Sequence, residues 1–281
     1  MEQLSRIKAR RENLHDLRDL FRAMRGMAAA HVQEAQKALK GIREYVASVE
    51  TALADGARLL PDSAGSSPVS GAGSSGLVIV VCSDHGFTGA FNDRLLEKAL
   101  SRLDANRQLG IIGQRGLLLA QEHQLTPSWS HPMATHVGGV INLARQITEK
   151  LAHHVEVEII FARYDKGARY DVVAKQILPI DPDLLRGRGD ASPPLHHLDA
   201  LHLLGQLTEE YLFGEITQAI MESLASENGA RLQVMQAADR NAGDKLTQLQ
   251  RRERSLRQEA ITAELLELAT GVEAIMKDNP A

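Results

Sequence analysis

The 281 residues carry a formal net charge of -4, are 43% hydrophobic but only 4% aromatic, and include a single cysteine, Cys82. That charge argues against general nucleic-acid binding, and one cysteine excludes both an internal disulfide and a cysteine-rich zinc site, which fits a reducing compartment. A chain rich in Ala, Leu and Met and poor in large rings suits the narrow seam between helices better than a thick multilayer core.

The first element is a helix over residues 1–60. No proline occurs from Met1 to Leu60, so nothing in the backbone forces a break. At about 1.5 Å per residue, some 55 helical residues reach roughly 80 Å, which carries such a helix out of any small globule. One heptad line falls on Ile7, Leu14, Phe21, Ala28, Ala35, Ile42 and Val49, all apolar. Three residues later a companion line reads Arg10, Leu17, Met24, His31, Ala38, Tyr45 and Ala52, interrupted by Arg10 and His31. A seven-residue repeat sustained this long predicts a left-handed coiled coil, its charged flanks such as Arg6, Lys8 and Glu12 facing solvent. The start from Met1 to Ile7 has no apolar signal core, and no apolar run approaches the ~20 residues of a membrane span; the expectation is a soluble or peripheral protein.

Residues 61–76, PDSAGSSPVSGAGSSG, are too polar and too rich in Gly and Ser to bury a core and read as a flexible linker. The segment 77–194 then alternates strand and helix signals. The apolar run Leu77–Val81 predicts a buried strand ending at the turn Cys82-Ser83-Asp84-His85-Gly86, and a helix is expected over about Ala90–Leu103. Leu109–Ile112 predicts a second strand closed by Gly113–Gly116. A helix over Val140–His153 and strands over Val155–Ala162 and Val172–Ile180 complete a small α/β domain with a mostly parallel sheet. Asp84, His85 and Gly86 stand where ligands gather in such sheets, but neither GxGxxG nor GxxxxGK[ST] is present, so the turn reads as structural. The adjacent pairs His153-His154 and His196-His197 point apart and predict no metal site.

Residues 195–281 resume helical spacing, proline-free from Leu195 to Asn279. Met235, Ala242, Leu249, Leu256 and Ala263 form one heptad line; its companion, Leu232, Asp239, Leu246, Glu253, Ala260 and Glu267, is interrupted by acids. Those acids predict a seam that is exposed, or meets other chains, along part of its length. The fold class is therefore α/β plus a long antiparallel coiled coil of the two terminal helices, with the mostly parallel sheet inserted between them.

Three regions carry a family resemblance, in order. Ser226–Arg231 followed by Arg257–Leu265 resembles the SExxAR and RQxxITxEL signatures of the gamma subunit of F-type rotary ATP synthases; Arg22–Ala30 is similar to its KAMxMVAA segment; Ser83–Gly89 and Ile112–Gly116 are similar to its TDRGLCG and IGSKG turns. The resemblance implies a central rotor shaft that couples ion flow to ATP synthesis or hydrolysis, non-catalytic and without a cofactor of its own. It implies as partners the alpha and beta subunits of the ATPase head, the epsilon subunit and the ring of membrane c subunits. By the same resemblance Arg231, Gln258, Thr262 and Glu264 are contact positions for the alpha/beta hexamer, and Arg22 and Met24 lie near the mobile acidic loop of the beta subunits. Location at the cytoplasmic face of a bacterial inner membrane, as a peripheral component, completes the implication.

Departures from the family pattern are Arg22 for a lysine, His31 for a lysine, Asp19 at an earlier lysine position and Gly26 at a methionine position; Pro193–Leu198 replaces an aromatic and acidic stretch. Two other readings of the residues stand beside this one: a coiled-coil adaptor with an α/β head, and a nucleotide-dependent enzyme built on Asp84-His85-Gly86.

Overall fold

The computed structural model describes residues 2–59, 76–104, 106–151, 154–165, 167–185, 197 and 199–278. The expected linker falls outside them, except that Gly76 is already the first residue of a strand. Helix α1 spans Glu2–Ala57, and the other terminal helix, α6, spans Ala200–Asp278. Between them in the chain come β1 (Gly76–Val81), α2 (Phe91–Leu100), β2 (Arg107–Ile112), α3 (Gln114–Glu122), β3 (Trp129–His131), α4 (Val137–Leu151), β4 (Val157–Asp165), β5 (Arg169–Leu178) and the short α5 (Pro182–Leu185). Packing divides the chain into two units, Met27–Val234 and Met1–Gly26 with Met235–Ala281.

In the Met27–Val234 unit the five strands lie in the order β3-β2-β1-β4-β5. The pairs β1/β2, β1/β4 and β2/β3 are parallel, and β4/β5 is an antiparallel hairpin, so the sheet is mixed and mostly parallel. Strand β1 is central and buried along its whole length, which explains why its sequence is apolar without alternation. Its side chains divide by parity. Leu77, Ile79 and Val81 enter a core with Leu39 and Leu53 of α1, Ile147 of α4 and Ile216, Ile220 and Leu224 of α6. Val78, Val80 and Cys82 enter a second core with Phe91, Leu95 and Leu96 of α2 and Ala120 of α3. Burial pushes the Cys82 thiol pKa up and leaves the sulfur unreactive.

Two positive-φ glycines shape the β2–α3 junction's neighbourhood. Gly113 has φ 108°, and a Cβ there would stand 2.6 Å from the carbonyl oxygens of both Cys82 and Ser83. Gly89, with φ 60°, closes the turn that follows β1. Elements β3 and α3 had no counterpart in the sequence reading: β3 is only three residues long, and α3 begins inside the segment read as a turn.

Heptad packing holds on α1, with one correction. Ala28, Ala35 and Val49 are buried and Ile7, Leu14, Phe21 and Ile42 half-buried, as the first line requires. Its companion lies four residues on, not three: Arg11, Arg18, Arg25, Val32, Leu39, Val46 and Leu53, of which the last four are buried. A 3.5-residue seam steps alternately by three and four, so either neighbour of a line can complete it. The arginines at 11, 18 and 25 disguised the true one.

Candidate functional site

Within the Met27–Val234 unit, the polar residues of α6 reach into the sheet. Glu222 is buried; one carboxylate oxygen accepts the Tyr164 N–H at 3.0 Å and the other takes the Arg43 guanidinium. The Ser223 hydroxyl accepts the Ala162 N–H at 3.0 Å and donates to the Val81 carbonyl at 3.1 Å; the Ser226 hydroxyl donates to the Ala162 carbonyl at 2.9 Å. Arg231 holds Glu227 at 2.6 Å and Asn228 at 3.2 Å while directing Nε and Nη2 at the Gly86 carbonyl, both at 3.4 Å. Burial raises the Glu227 pKa; the Arg231 charge opposes this, Asp84 adds to it, and the result is a carboxyl pushed up to about 7.

The turn after β1 is itself held shut. Asp84 Oδ1 accepts backbone N–H groups from Gln114 at 3.0 Å and Met133 at 3.1 Å, tying together the ends of three strands. Asn92 accepts the Ser83 N–H and donates to the Ser83 hydroxyl, both at 2.9 Å. Asp84 is thus a fastening group, in keeping with the structural reading of this turn. His153 and His196, one member of each histidine pair, lie outside the described residues.

The other unit contains the remaining predicted site residues. Met235, Asp239, Ala242, Leu246 and Glu253 of α6 are buried and Leu249 and Leu256 half-buried, so two of the three acids of the interrupted line, Asp239 and Glu253, sit in the seam, while Ala260 and the third acid, Glu267, are exposed. This corrects the expectation of an exposed or intermolecular seam at Asp239 and Glu253. Asp239, 9% exposed, accepts Arg18 Nε at 2.8 Å, Arg22 Nε at 3.2 Å and Arg25 Nη1 at 3.3 Å. The Arg18 hydrogen bond, helped by the charges of Arg22 and Arg25, holds its carboxyl below the ordinary aspartate value. Glu253, 5% exposed, pairs with Arg11 at 2.8 Å and Arg257 at 3.0 Å. These crossings, low numbers on α1 against high numbers on α6 and the reverse, make the pair of helices antiparallel. The acids are inside because arginines at seam positions of the facing helix meet them.

Beyond Glu253 the burial ends. Every residue from Arg257 to Thr270 is exposed, including Gln258, Thr262 and Glu264, and with them Ile261, Leu265, Leu266 and Leu268, the last three above 60%. The Thr262 hydroxyl donates to the Gln258 carbonyl at 2.9 Å, a bond within the helix that fixes its rotamer. Of the two N-terminal positions, Met24 is half-buried and Arg22 is exposed on one side while bonded to Asp239 on the other. Arg22 stands about 28 Å along the helix axis from the Gln258 group, given ~1.5 Å per residue from Asp239. The predicted residues therefore form separate groups rather than one pocket. Arg231 belongs to neither: its side chain is 12% exposed and committed to the turn after β1.

Two long terminal helices, paired antiparallel in one unit, with an α/β segment inserted between them in the chain, define the class: a coiled-coil protein with an inserted mostly parallel α/β domain. The family model of ATP synthase matches residues 3–275. Among curated relatives, the ATP synthase gamma chain of Geotalea daltonii is 30% identical, covering 98% of this chain and 99% of its own length. That of Geotalea uraniireducens is 26% identical over the same shares. Among solved structures, a chain of the Euglena gracilis mitochondrial ATP synthase, from the OSCP/F1/c-ring assembly in rotational state 3, superposes with a TM-score of 0.70 at 14% identity, covering 100% of this chain and 97% of its own. A chain of the rotor of the same enzyme in rotational state 1 gives 0.60 at 13% identity, covering 92% and 99%. The chain belongs to the ATP synthase family, on the gamma-chain branch. It is a non-catalytic subunit and a peripheral part of a membrane-bound complex. Among the described residues no helix is long and apolar enough to cross a membrane.

Proposed function

We propose that this chain is the central shaft of a rotary ATP synthase and that Gln258, Thr262, Glu264, Arg22 and Met24 are where it meets the alpha/beta hexamer. The observation that carries the contact assignment is the band from Arg257 to Leu268, exposed polar and large apolar side chains on a single helix with no covering from its own unit. A helix that leaves four such apolar residues bare is matched to a surrounding partner. Polar contacts made in one orientation and lost in another provide the differential free energy that coupling requires. The epsilon subunit and the c-ring are the further partners, and the cytoplasmic face of a bacterial inner membrane is the location this reading gives. Arg231 enters as a residue that positions the Ser83–Gly89 turn. In this reading the α/β segment is the domain inserted in the chain between the two shaft helices, Glu2–Ala57 and Ala200–Asp278.

The test is a reconstituted complex carrying Gln258→Leu with Thr262→Ala. The expected result is a folded, assembled shaft with reduced ATPase activity or reduced coupling to ion flow; an assembled double variant that hydrolyses and pumps at the unmodified rates rules out these positions. Arg254→Ala, a change outside the signature, is expected to have the smaller effect.

A further inference from the structure

The second heptad line of α1 changes character along the helix. Val32, Leu39, Val46 and Leu53 are apolar and buried in the Met27–Val234 unit, whereas Arg11, Arg18 and Arg25 occupy the same line in the other unit. Opposite these arginines α6 presents Asp239 and Glu253, both buried and, like Arg11 and Arg25, fourteen residues apart. Arg25 meets Asp239 and Arg11 meets Glu253, which defines one antiparallel register; Arg18 also reaches Asp239. Gly243 gives it room, since a Cβ there would stand 3.2 Å from Arg18 Nη2 and 3.4 Å from its Cζ. The apolar part of this seam is thin: Ile7, Leu14 and Phe21 are only half-buried, and Leu17 and Leu20 beside them are exposed. Apolar contact is non-directional, so such a stripe accepts any amphipathic helix, including the same helix of a second copy. Charge does not. Pairing α1 with a second α1 sets the arginine line against itself, and pairing α6 with α6 sets acid against acid. An α1–α6 pair slipped by one heptad faces Glu253 with Leu4 in one direction and Asp239 with Val32 in the other, and either slip leaves a buried carboxylate without its partner.

We propose that Arg11, Arg18 and Arg25 with Asp239 and Glu253 select the helix partner: they restrict residues 2–26 of α1 to residues 235–256 of α6 in the same chain, and keep free copies of this chain from joining through these segments. The selection acts in the free chain, before any other subunit is bound, and so does not depend on the shaft reading. Arg22 and Arg257 add to the pairing of Asp239 and Glu253 without setting the register, Arg22 because it lies off the heptad line and Arg257 because it is on the same helix as Glu253. In the Met27–Val234 unit the same line of α1 needs no charges, because Leu39 and Leu53 are held in the core with Leu77, Ile79 and Val81 of β1. Buried ion pairs of this kind contribute more to the choice among pairings than to the strength of the chosen one.

The test uses three variants of the full chain: one with α1 reversed in charge (Arg11→Glu, Arg18→Glu and Arg25→Glu), one with α6 reversed (Asp239→Arg and Glu253→Arg), and one with all five changes. Hydrogen exchange of the amides in 2–26 and 235–256 reports pairing, sedimentation velocity reports association, and unchanged protection of Leu77–Val81 shows that the sheet is folded. Each single-helix reversal is expected to speed exchange in both segments about tenfold, and the chain with all five changes to return close to the unmodified rates. Mixing the two single-helix variants in equal amounts makes α1 of each complementary to α6 of the other, and a 1:1 dimer is expected that neither forms alone. Unchanged exchange in the single-helix variants, or an open pair in the chain with all five changes, overturns the role of these charges. A mixture that stays monomeric while the five-change chain closes overturns partner selection, because charge then holds the pair without choosing it. Self-association of the unmodified chain through these segments overturns it as well.

Discussion

Ser226–Arg231 and Arg257–Leu265 lie on the same helix and both resemble family signatures, yet they use their polar atoms in opposite ways. The first directs Ser226, Glu227 and Arg231 inward to strand ends and a turn; the second leaves Gln258, Thr262 and Glu264 in solvent beside bare leucines. A sequence signature thus marks a constraint without saying whether the constraint is internal or external. Burial separates the two: changes in the first region should be felt as stability of the isolated chain, changes in the second only in the assembled complex.

The comparison breaks most severely if the inward region tolerates distortion. Gly113→Ala puts a Cβ against two carbonyl oxygens next to the Asp84 turn and is expected to cost roughly 3 kcal/mol in urea unfolding of the chain. Next in size, Ser223→Ala strands the Ala162 N–H and the Val81 carbonyl, for an expected loss of about 1–3 kcal/mol by the same measurement.

Glu227 gives a pH-resolved version. Its folded pKa of about 7 lies above the ordinary value of 4.5, so the folded state holds the proton more tightly between those values and the group's contribution to stability falls as pH rises through that window. Relative to Glu227→Gln, the unmodified chain should lose stability from about pH 4.5 to about pH 7 and hold a constant difference above that; parallel curves for the two proteins would show that burial does not act on this carboxyl. Smallest in stability terms, Gln258→Leu with Thr262→Ala should shift unfolding by no more than ~0.5 kcal/mol, since both sites are exposed. A larger shift would mean that the outward band is covered in the chain alone.

Much of the fold was legible because its signals are local. Absence of proline marked the long helices, and apolar runs marked β1, β2, β4 and β5. The three-residue β3 has no run to read, and α3 was hidden by Gly113 and Gly116, which look like a turn although Gly116 is a helical residue seated against Cys82. The seam register was misread because its correct line carries Arg11, Arg18 and Arg25. The signal that finds it is a match at long range: Arg11 and Arg25 are two heptads apart, as are Asp239 and Glu253, so the arginines and acids fit one antiparallel register. The inward role of Arg231 had no such signal, because its side-chain partners Glu227 and Asn228 lie on its own helix and its partners elsewhere are backbone carbonyls of the Ser83–Gly89 turn, which any sequence provides.

The Ser223 hydroxyl has one more consequence. Strands β1 and β4 pair from Leu77 with Val157 to Val80 with Ile160, and where that pairing stops, Ser223 bridges the Val81 carbonyl and the Ala162 N–H. A helix side chain thus serves as the terminal rung of a β-ladder. The two bonds meet at one hydroxyl, so the hydrogen-exchange rate of the Ala162 amide reports directly whether α6 is seated on this edge of the sheet.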